Sequence, residues 1–404
     1  MSMKMLQRIN EGLHDMCHIW AEEMKNVVRD EGVLIFFILV PLLYPILYSW
    51  IYNNEVVREV PVAVVDNSHS SMSRMFIREF DAAPDTRVAY HCNSLDEAKD
   101  LVGRQAVHGV IYFPQDFQTR INRMEQSHVG VYCDMSLMLT YKAIFQTASS
   151  VAANINSKIQ TSLSGNTTGR EDEITIKPLD FDEIPMFNTT GGYGNFILPG
   201  VLMLIIQQTL LLGIGLSAGT AREKSKYKEL IPVSRHYNGI FRIVLGKSMC
   251  YFMIYSVIAA YVTLVIPRMF GFVSLVHASD LAMFMLPYLL SCIFFGMMLS
   301  CLVRYRENVI LLVVFSSILL LFLSGMSWPS SNIPGTWKAV SWLFPSTFGI
   351  QGFVSMNTAG ARLGDISLQY ICLWIQTVVF FIMTCAVYKF QIDRVKKIKG
   401  DKGR

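Results

Sequence analysis

The chain has 404 residues, of which 52% are hydrophobic and 16% charged. A soluble domain carries about 25% charged residues. The net charge of +4 is gathered beside long charge-free runs. That is the pattern of membrane topology and excludes a nucleic-acid-binding domain.

Helical periodicity opens the chain. Leu6, Ile9, Leu13, Cys17, Trp20, Met24 and Val27 recur at spacings of three or four, with Arg8, Glu11, Asp15, Glu22 and Lys25 on the other side. This predicts an amphipathic helix over residues 5–28, in a cytoplasmic segment 1–31 that lies in the membrane interface. The charge-free run Val33–Tyr52 follows. A bilayer core of about 30 Å takes about 20 apolar residues as helix, so 32–52 reads as the first span. Pro41 and Pro45 should kink it. Six acidic residues precede it and no small-residue cleavage site follows, so it reads as an uncleaved anchor.

Residues 53–190 read as an α/β domain. VPVAVVD (60–66), TRVAYH (86–91), HGVIYF (108–113) and HVGVYCD (128–134) are rich in β formers. SMSRMFIREF, SLDEAKDLVGRQ and PQDFQTRINRM between them carry helical periodicity with Ser or Pro at their starts. Residues 136–163 read as one long helix, 164–170 as a hinge, and ITIKPL (174–179) as a short strand.

Five further spans follow in 191–404, at 196–218, 248–267, 281–303, 308–327 and 368–389. Segment 328–353 holds three prolines and three tryptophans. It is too broken for a span and reads as external re-entrant or interfacial helices. The fold class is therefore an α-helical integral membrane protein with six transmembrane helices and an inserted α/β domain between the first two. Segments 1–31, 222–247, 304–306 and 389–404 carry twenty Lys and Arg; loops 268–280 and 327–365 carry three. The positive-inside rule puts both termini in the cytoplasm and 53–190 outside it.

Several motifs carry no chemistry. His14 and His18 share a helix face, but no further ligands cluster near them. They read as polar-boundary histidines rather than a metal site. Gly246-Lys247-Ser248 lacks the earlier glycine of a phosphate loop. No nucleophile signature of a hydrolase appears. Of eight cysteines, Cys92 and Cys133 lie in the α/β domain. They read either as a disulfide or as two thiols that never meet.

Apart from Lys389 at the very end of the sixth, the six spans hold no Asp, Glu, Lys or Arg. Ion-coupled transporters need such groups, so an external energy source is favoured. Gln207, Gln208, Thr209, Ser217, Asn308 and Gln376 are the candidate polar groups on a translocation path; the alternative role for each is helix–helix bonding. Gly215-x-x-x-Gly219 and Gly296-x-x-x-Ser300 read as packing faces.

FILPGVLML, AREKSKYKELIPVSRHYNGIFRIVLGKS and SGMSWPSSNIPGTWKAVSWLFPSTFGIQGF occur in that order, behind the amphipathic helix and the large inserted domain. This layout resembles the ABC-2 type transporter permeases with a large external domain, a group that includes multidrug and polyketide exporters. The resemblance covers nearly the whole chain. It implies a non-enzymatic permease subunit of an ATP-binding-cassette exporter in the bacterial cytoplasmic (inner) membrane. It also implies two copies of a separate ABC ATPase, a second permease chain in a homo- or heterodimer, and potentially a periplasmic adaptor. No cofactor is expected on this chain; ATP and Mg serve the partner.

The resemblance places Arg222, Glu223, Glu229, Leu230, Pro232 and Ser234 on a coupling helix within 220–247 that contacts the ATPase. The family's Gly-Thr after the Arg-Glu pair is missing, and Lys226-Tyr227 stands near its place. Seven basic residues and the helix-ending Pro232 fit a docking lever, or a plain positive-inside loop. The apolar spans suggest an amphipathic or drug-like substrate. The rival reading is a membrane receptor or mechanotransmission subunit with an external sensor.

Overall fold

A computed structural model describes residues 2–53, 56–165, 167–177, 179, 184, 186–189, 191–223, 239–301 and 305–401. The chain divides into two units, Val56–Pro185 and the remainder.

The smaller unit is built on a four-stranded sheet: β1 (Val60–Asp66), β2 (Thr86–Cys92), β3 (Gly109–Phe113) and β4 (Gly130–Cys133). The strand order is β2-β1-β3-β4. β1 runs parallel to both neighbours, and β4 antiparallel to β3. β1 is apolar on both faces because both are covered, as expected of a central parallel strand. Val60, Val62 and Val64 pack with Phe76 and Phe80 of α3 (Ser71–Asp81), Phe117 of α5 (Phe117–Asn122), and Ile144 and Val151 of α6 (Met138–Ser164). The alternate residues Ala63 and Val65 pack with Ala98 of α4 (Leu95–Gly103).

Two expectations need correction here. Cys92 and Cys133 are free thiols at opposite edges of the sheet. Three strand spacings of about 4.8 Å separate them, beyond the Cα separation of about 7 Å that a disulfide spans. They also join different clusters. Of the expected strand at 174–179, residues 174–176 are instead the end of α7 (Gly169–Ile176). A reciprocal Thr168/Glu171 capping box nucleates that helix and overrides the β-formers Ile174 and Ile176. The hinge is a left-handed Gly165 (φ 65°) that ends α6.

The larger unit begins with α1 (Ser2–Arg29). Among the described residues six helices are long and apolar enough to cross a membrane: α2 (Glu31–Ile51), α8 (Tyr193–Glu223), α9 (Ile240–Phe270), α10 (Ala278–Ser300), α11 (Arg306–Leu323) and α14 (Ser367–Asp401). Two contain a π turn. Ile35–Leu39 precedes Pro41, and Tyr261–Val265 precedes Pro267. A proline ring crowds the carbonyl four residues back, which lies inside each of these turns, and the wider π turn relieves that. Tyr261 Oη donates to the Leu42 carbonyl at 3.2 Å, joining the two irregular points. Phe37, from the first π turn, is fully buried beside Tyr251 and Tyr255. It fills the space beside Gly213, where a Cβ would overlap its ring.

α8 is buried along its entire apolar length and forms the centre of the unit. Tyr288 Oη donates to the Met203 carbonyl at 2.7 Å, and Cys292 Sγ to Gln207 Oε1 at 3.6 Å. Thr377, Thr384 and Gln391 of α14 donate to the Pro287, Phe294 and Cys301 carbonyls at 3.1, 2.9 and 3.0 Å. Both helices advance seven residues per rung, so α10 and α14 run parallel and in register, as in a heptad pairing. Gly215 and Gly219 meet Val309 and Arg306 of α11, while Gly296 meets Ile214 of α8, so both small-residue faces are packing faces.

Residues 330–332 form a 3₁₀ turn, followed by α12 (Gly335–Ser341) and α13 (Pro345–Ala359). Trp328, Trp337 and Trp342 are exposed, but α13 buries Phe348, Ile350, Phe353 and Met356. Its Gly349 and Gly352 let Tyr288 and Phe284 of α10 approach. The broken segment is thus an exposed part followed by a core helix six residues longer than the expected end at 353.

Candidate functional site

The expected apolar stripe of α1 meets its buried face only at Val27, with Trp20 and Met24 half-buried. Gly12, Asp15, Ile19, Glu23 and Val27 are buried, while Leu13 and Cys17 are exposed. Two carboxylates lie on the buried face because α9 supplies their partners. Arg242 donates to Asp15 at 2.8 Å. Lys247 Nζ lies 2.8 Å from Glu23 Oε2, both groups under one-tenth exposed. Tyr251 Oη donates to the other oxygen of Glu23. Gly246 brings the backbones together, since a Cβ there would lie 3.0 Å from Ile19 Cβ. Each partner occurs later along both helices, so α1 runs parallel to the first three turns of α9.

A third pair closes the row. Arg306, which starts α11, lies 3.3 Å from Asp30. Asp30 also caps α2 through the Gly32 and Val33 backbone N–H groups. Burial raises the Asp30 carboxyl, but the Val33 N–H, Arg306 and the Gly32 N–H outweigh it and hold it below the usual carboxylate range. Gly219 of α8 abuts the Arg306 backbone, with a Cβ position 3.0 Å from its Cα. Three acid–base pairs therefore tie α1, α2, α9 and α11 at one end, and α8 packs against the last pair through Gly219.

Lys247 corrects the boundary of the third span. α9 begins at Ile240, so the expected loop end and the charge-free span start at 248 both misplace it. Glu23 and Lys247 were missed as site residues because each, read alone, is one more charge near a membrane surface. The signal was the acid itself: Asp15 and Glu23 stand eight apart, on nearly one helix face.

The expected site residues divide. Arg222 and Glu223 end α8, one turn beyond Gly219. Glu229, Leu230, Pro232 and Ser234 lie outside the described residues. Gln207 and Gln208 are buried in α8; the Gln207 Nε2 and both Gln208 amide atoms have no hydrogen-bond partner among the described residues. Thr209 donates to its own helix at Ile205. Ser217 is half-buried, and Asn308 is exposed on α11. Gln376 donates to the Trp342 carbonyl at 2.8 Å, a bond that ties α14 to the end of α12. The structure does not gather these six into one site. His18 pairs with Glu22 at 3.9 Å, and no metal-binding group occurs among the described residues.

Six apolar helices among the described residues, each long enough to cross a bilayer, define a multi-pass membrane protein. Residues 32–386 match the family of ABC-2 family transporter proteins. The chain belongs to that family and is a transport permease subunit. It is 21% identical over 373 residues to the probable multidrug ABC transporter permease YbhR of Escherichia coli strain K12, covering 89% of this chain and 94% of that protein. The same protein of Escherichia coli O157:H7 matches equally.

Proposed function

We propose that this chain is the membrane half of an ATP-driven exporter in a bacterial inner membrane. Two such chains, identical or different, work with two copies of an ABC ATPase that binds ATP and Mg. Both termini and the clamp between α1 and α9 face the cytoplasm, and the smaller unit lies outside it. The cargo is amphipathic or drug-like, in line with the similarity to the probable multidrug permease YbhR. A periplasmic adaptor would receive it.

The observation that carries this reading is the clamp itself. The segment 224–238, with Glu229 and Pro232, leaves α8 one turn beyond the junction with Arg306 and returns at the start of α9. An ATPase docked there would push on α8, α9 and, through the ion pairs, on α1 together, as one bistable body. Gln207 Nε2 and the Gln208 amide offer buried polar atoms, without a hydrogen-bond partner among the described residues, to a passing substrate, because an unsatisfied polar group in hydrocarbon gains from any partner.

The test is reconstitution in lipid. The chain alone should hydrolyse no ATP, while the chain with its ATPase should hydrolyse ATP and export. Glu223→Ala should reach the membrane normally and lower hydrolysis and export together. A carboxylate bond to the ATPase is worth about 1.5–3 kcal/mol, comparable to a whole coupling free energy of about 1–3 kcal/mol. Robust hydrolysis by the isolated chain would overturn the reading.

A further inference from the structure

The smaller unit encloses a cavity of about 560 Å³ between α3, α5, α6 and the turn that leads from α5 into β4. Its wall is aromatic and aliphatic. Phe76, Phe117 and Phe145 present rings to it, and Ile155 and Leu163 of α6 extend it. Phe76 and Phe117 both pack edge-on against Phe113, at 5.4 and 5.3 Å between centroids, so two of the three rings are fixed by the core. Phe145 is half exposed and Leu163 more so. The cavity is therefore open on its α6 side and built on its floor.

Three features give it chemistry. Glu125 is the one described lining residue with a full carboxylate, His128, exposed at the rim, is the one lining imidazole, and no Lys or Arg is among the described lining residues. The nearby Arg120 is held by Asp116 at 2.5 Å, and Lys158 of α6 by Glu79 at 2.6 Å, so both are neutralised away from the cavity. Ser127 Oγ, in the lining turn, is buried with no hydrogen-bond partner among the described residues. The turn is also strained at Met124 (φ 60°), a conformation unfavourable for a side chain of this kind. Rings, one carboxylate and one unused hydroxyl form a site that favours positive over negative charge, because ring faces and the carboxylate attract cations alike. An anionic lipid or fatty acid would meet no Lys or Arg there, only the exposed imidazole of His128 at the rim.

We propose that this cavity binds an apolar organic cation: a hydrophobic body against Phe76, Phe117 and Phe145, with its charge beside Glu125. The corollary that such cations belong to the exported class rests on the permease reading above; binding by the cavity does not.

The probe is tetraphenylphosphonium, with tetraphenylborate as the anion of the same shape. Binding to the full chain in neutral-lipid nanodiscs is measured by titration calorimetry, with empty nanodiscs subtracted. Tetraphenylphosphonium should bind saturably, once per chain, and tetraphenylborate should show no saturable binding. Glu125→Gln, on the exposed rim, should weaken the cation about three- to fivefold, the scale of one solvent-exposed charge pair. Ala152→Phe, which fills the cavity from α6, should abolish binding while thermal unfolding stays cooperative. Equal binding of the two ions, or wild-type binding by both variants, overturns the proposal. Export by the chain with its ATPase is scored separately. Export without cavity binding removes this inference alone. Cavity binding without any ATP-driven export removes the permease reading alone.

Discussion

Two helix interfaces in the larger unit are held by different physics. α1 lies on α9 through buried charge: Asp15 on Arg242, and Glu23 on Lys247 and Tyr251. α14 lies on α10 through neutral donors to backbone carbonyls, one every seven residues. A neutral ladder in an apolar surrounding costs little to keep and little to lose per rung. A buried ion pair contributes little net stability when intact, yet is costly to break, because one charge is left without a partner. The first interface is thus an all-or-none joint and the second a cumulative seam. A joint at one end of the bundle suits an element that must move as a piece with α9, whereas a seam suits a frame.

The sharpest way to break that contrast is Lys247→Met. It leaves Glu23 buried without its cation and should cost about 3–5 kcal/mol of stability. Adding Glu23→Gln should restore most of it. Thermal unfolding in nanodiscs checks both, and an unchanged midpoint for Lys247→Met would show that the pair is not buried in the membrane-bound protein. Gly213→Ala should follow, at about 1–3 kcal/mol, because the new Cβ meets the Phe37 ring and the core must shift. Phe37→Leu should relieve it in the double variant.

Thr384→Val tests the seam. It removes one rung to the Phe294 carbonyl and should cost only about 0.6 kcal/mol, the mean for hydrogen bonds between membrane helices. A loss as large as that of Lys247→Met would erase the distinction. The smallest effect is expected at Asp30. Its folded pKa lies below the unfolded one, so its stabilisation is present above the unfolded pKa. It is lost as pH falls through the folded value. Asp30→Asn should therefore flatten the acid limb of a stability–pH profile and leave the alkaline limb unchanged.

Much of this fold was legible because membranes and sheets impose strong patterns. Each of the six apolar runs falls on a helix long enough to cross a bilayer, and Val60–Asp66 is a strand at the bounds its composition set. What escaped was decided between distant segments. Hydropathy started the third span after Lys247, since nothing local reveals that Glu23, more than two hundred residues earlier, neutralises it. The apolar stripe of α1 was visible, but a lipid-facing stripe and a protein-facing one have the same period. The pairing of Cys92 and Cys133 depended on strand order, which spacing does not encode. Ile174 and Ile176 looked like a strand because a capping box outside the apolar run settled their conformation. Of the candidate path, Gln207 and Gln376 each have one amide atom bonded and one buried without a partner among the described residues, Gln208 has neither atom bonded there, and Asn308 is exposed.

The central claim is that α1 and α9 move as one body when the ATPase drives the permease. Replacing Ile19 and Gly246 by cysteines, in a background without Cys17, puts sulfur-bearing carbons close to disulfide reach. With membrane levels confirmed, ATP-driven export is measured after oxidation and again after reduction. Locking the joint should leave export near that of the reduced protein. Export that is abolished by oxidation and restored by reduction would show that α1 must slide on α9, and would contradict the account.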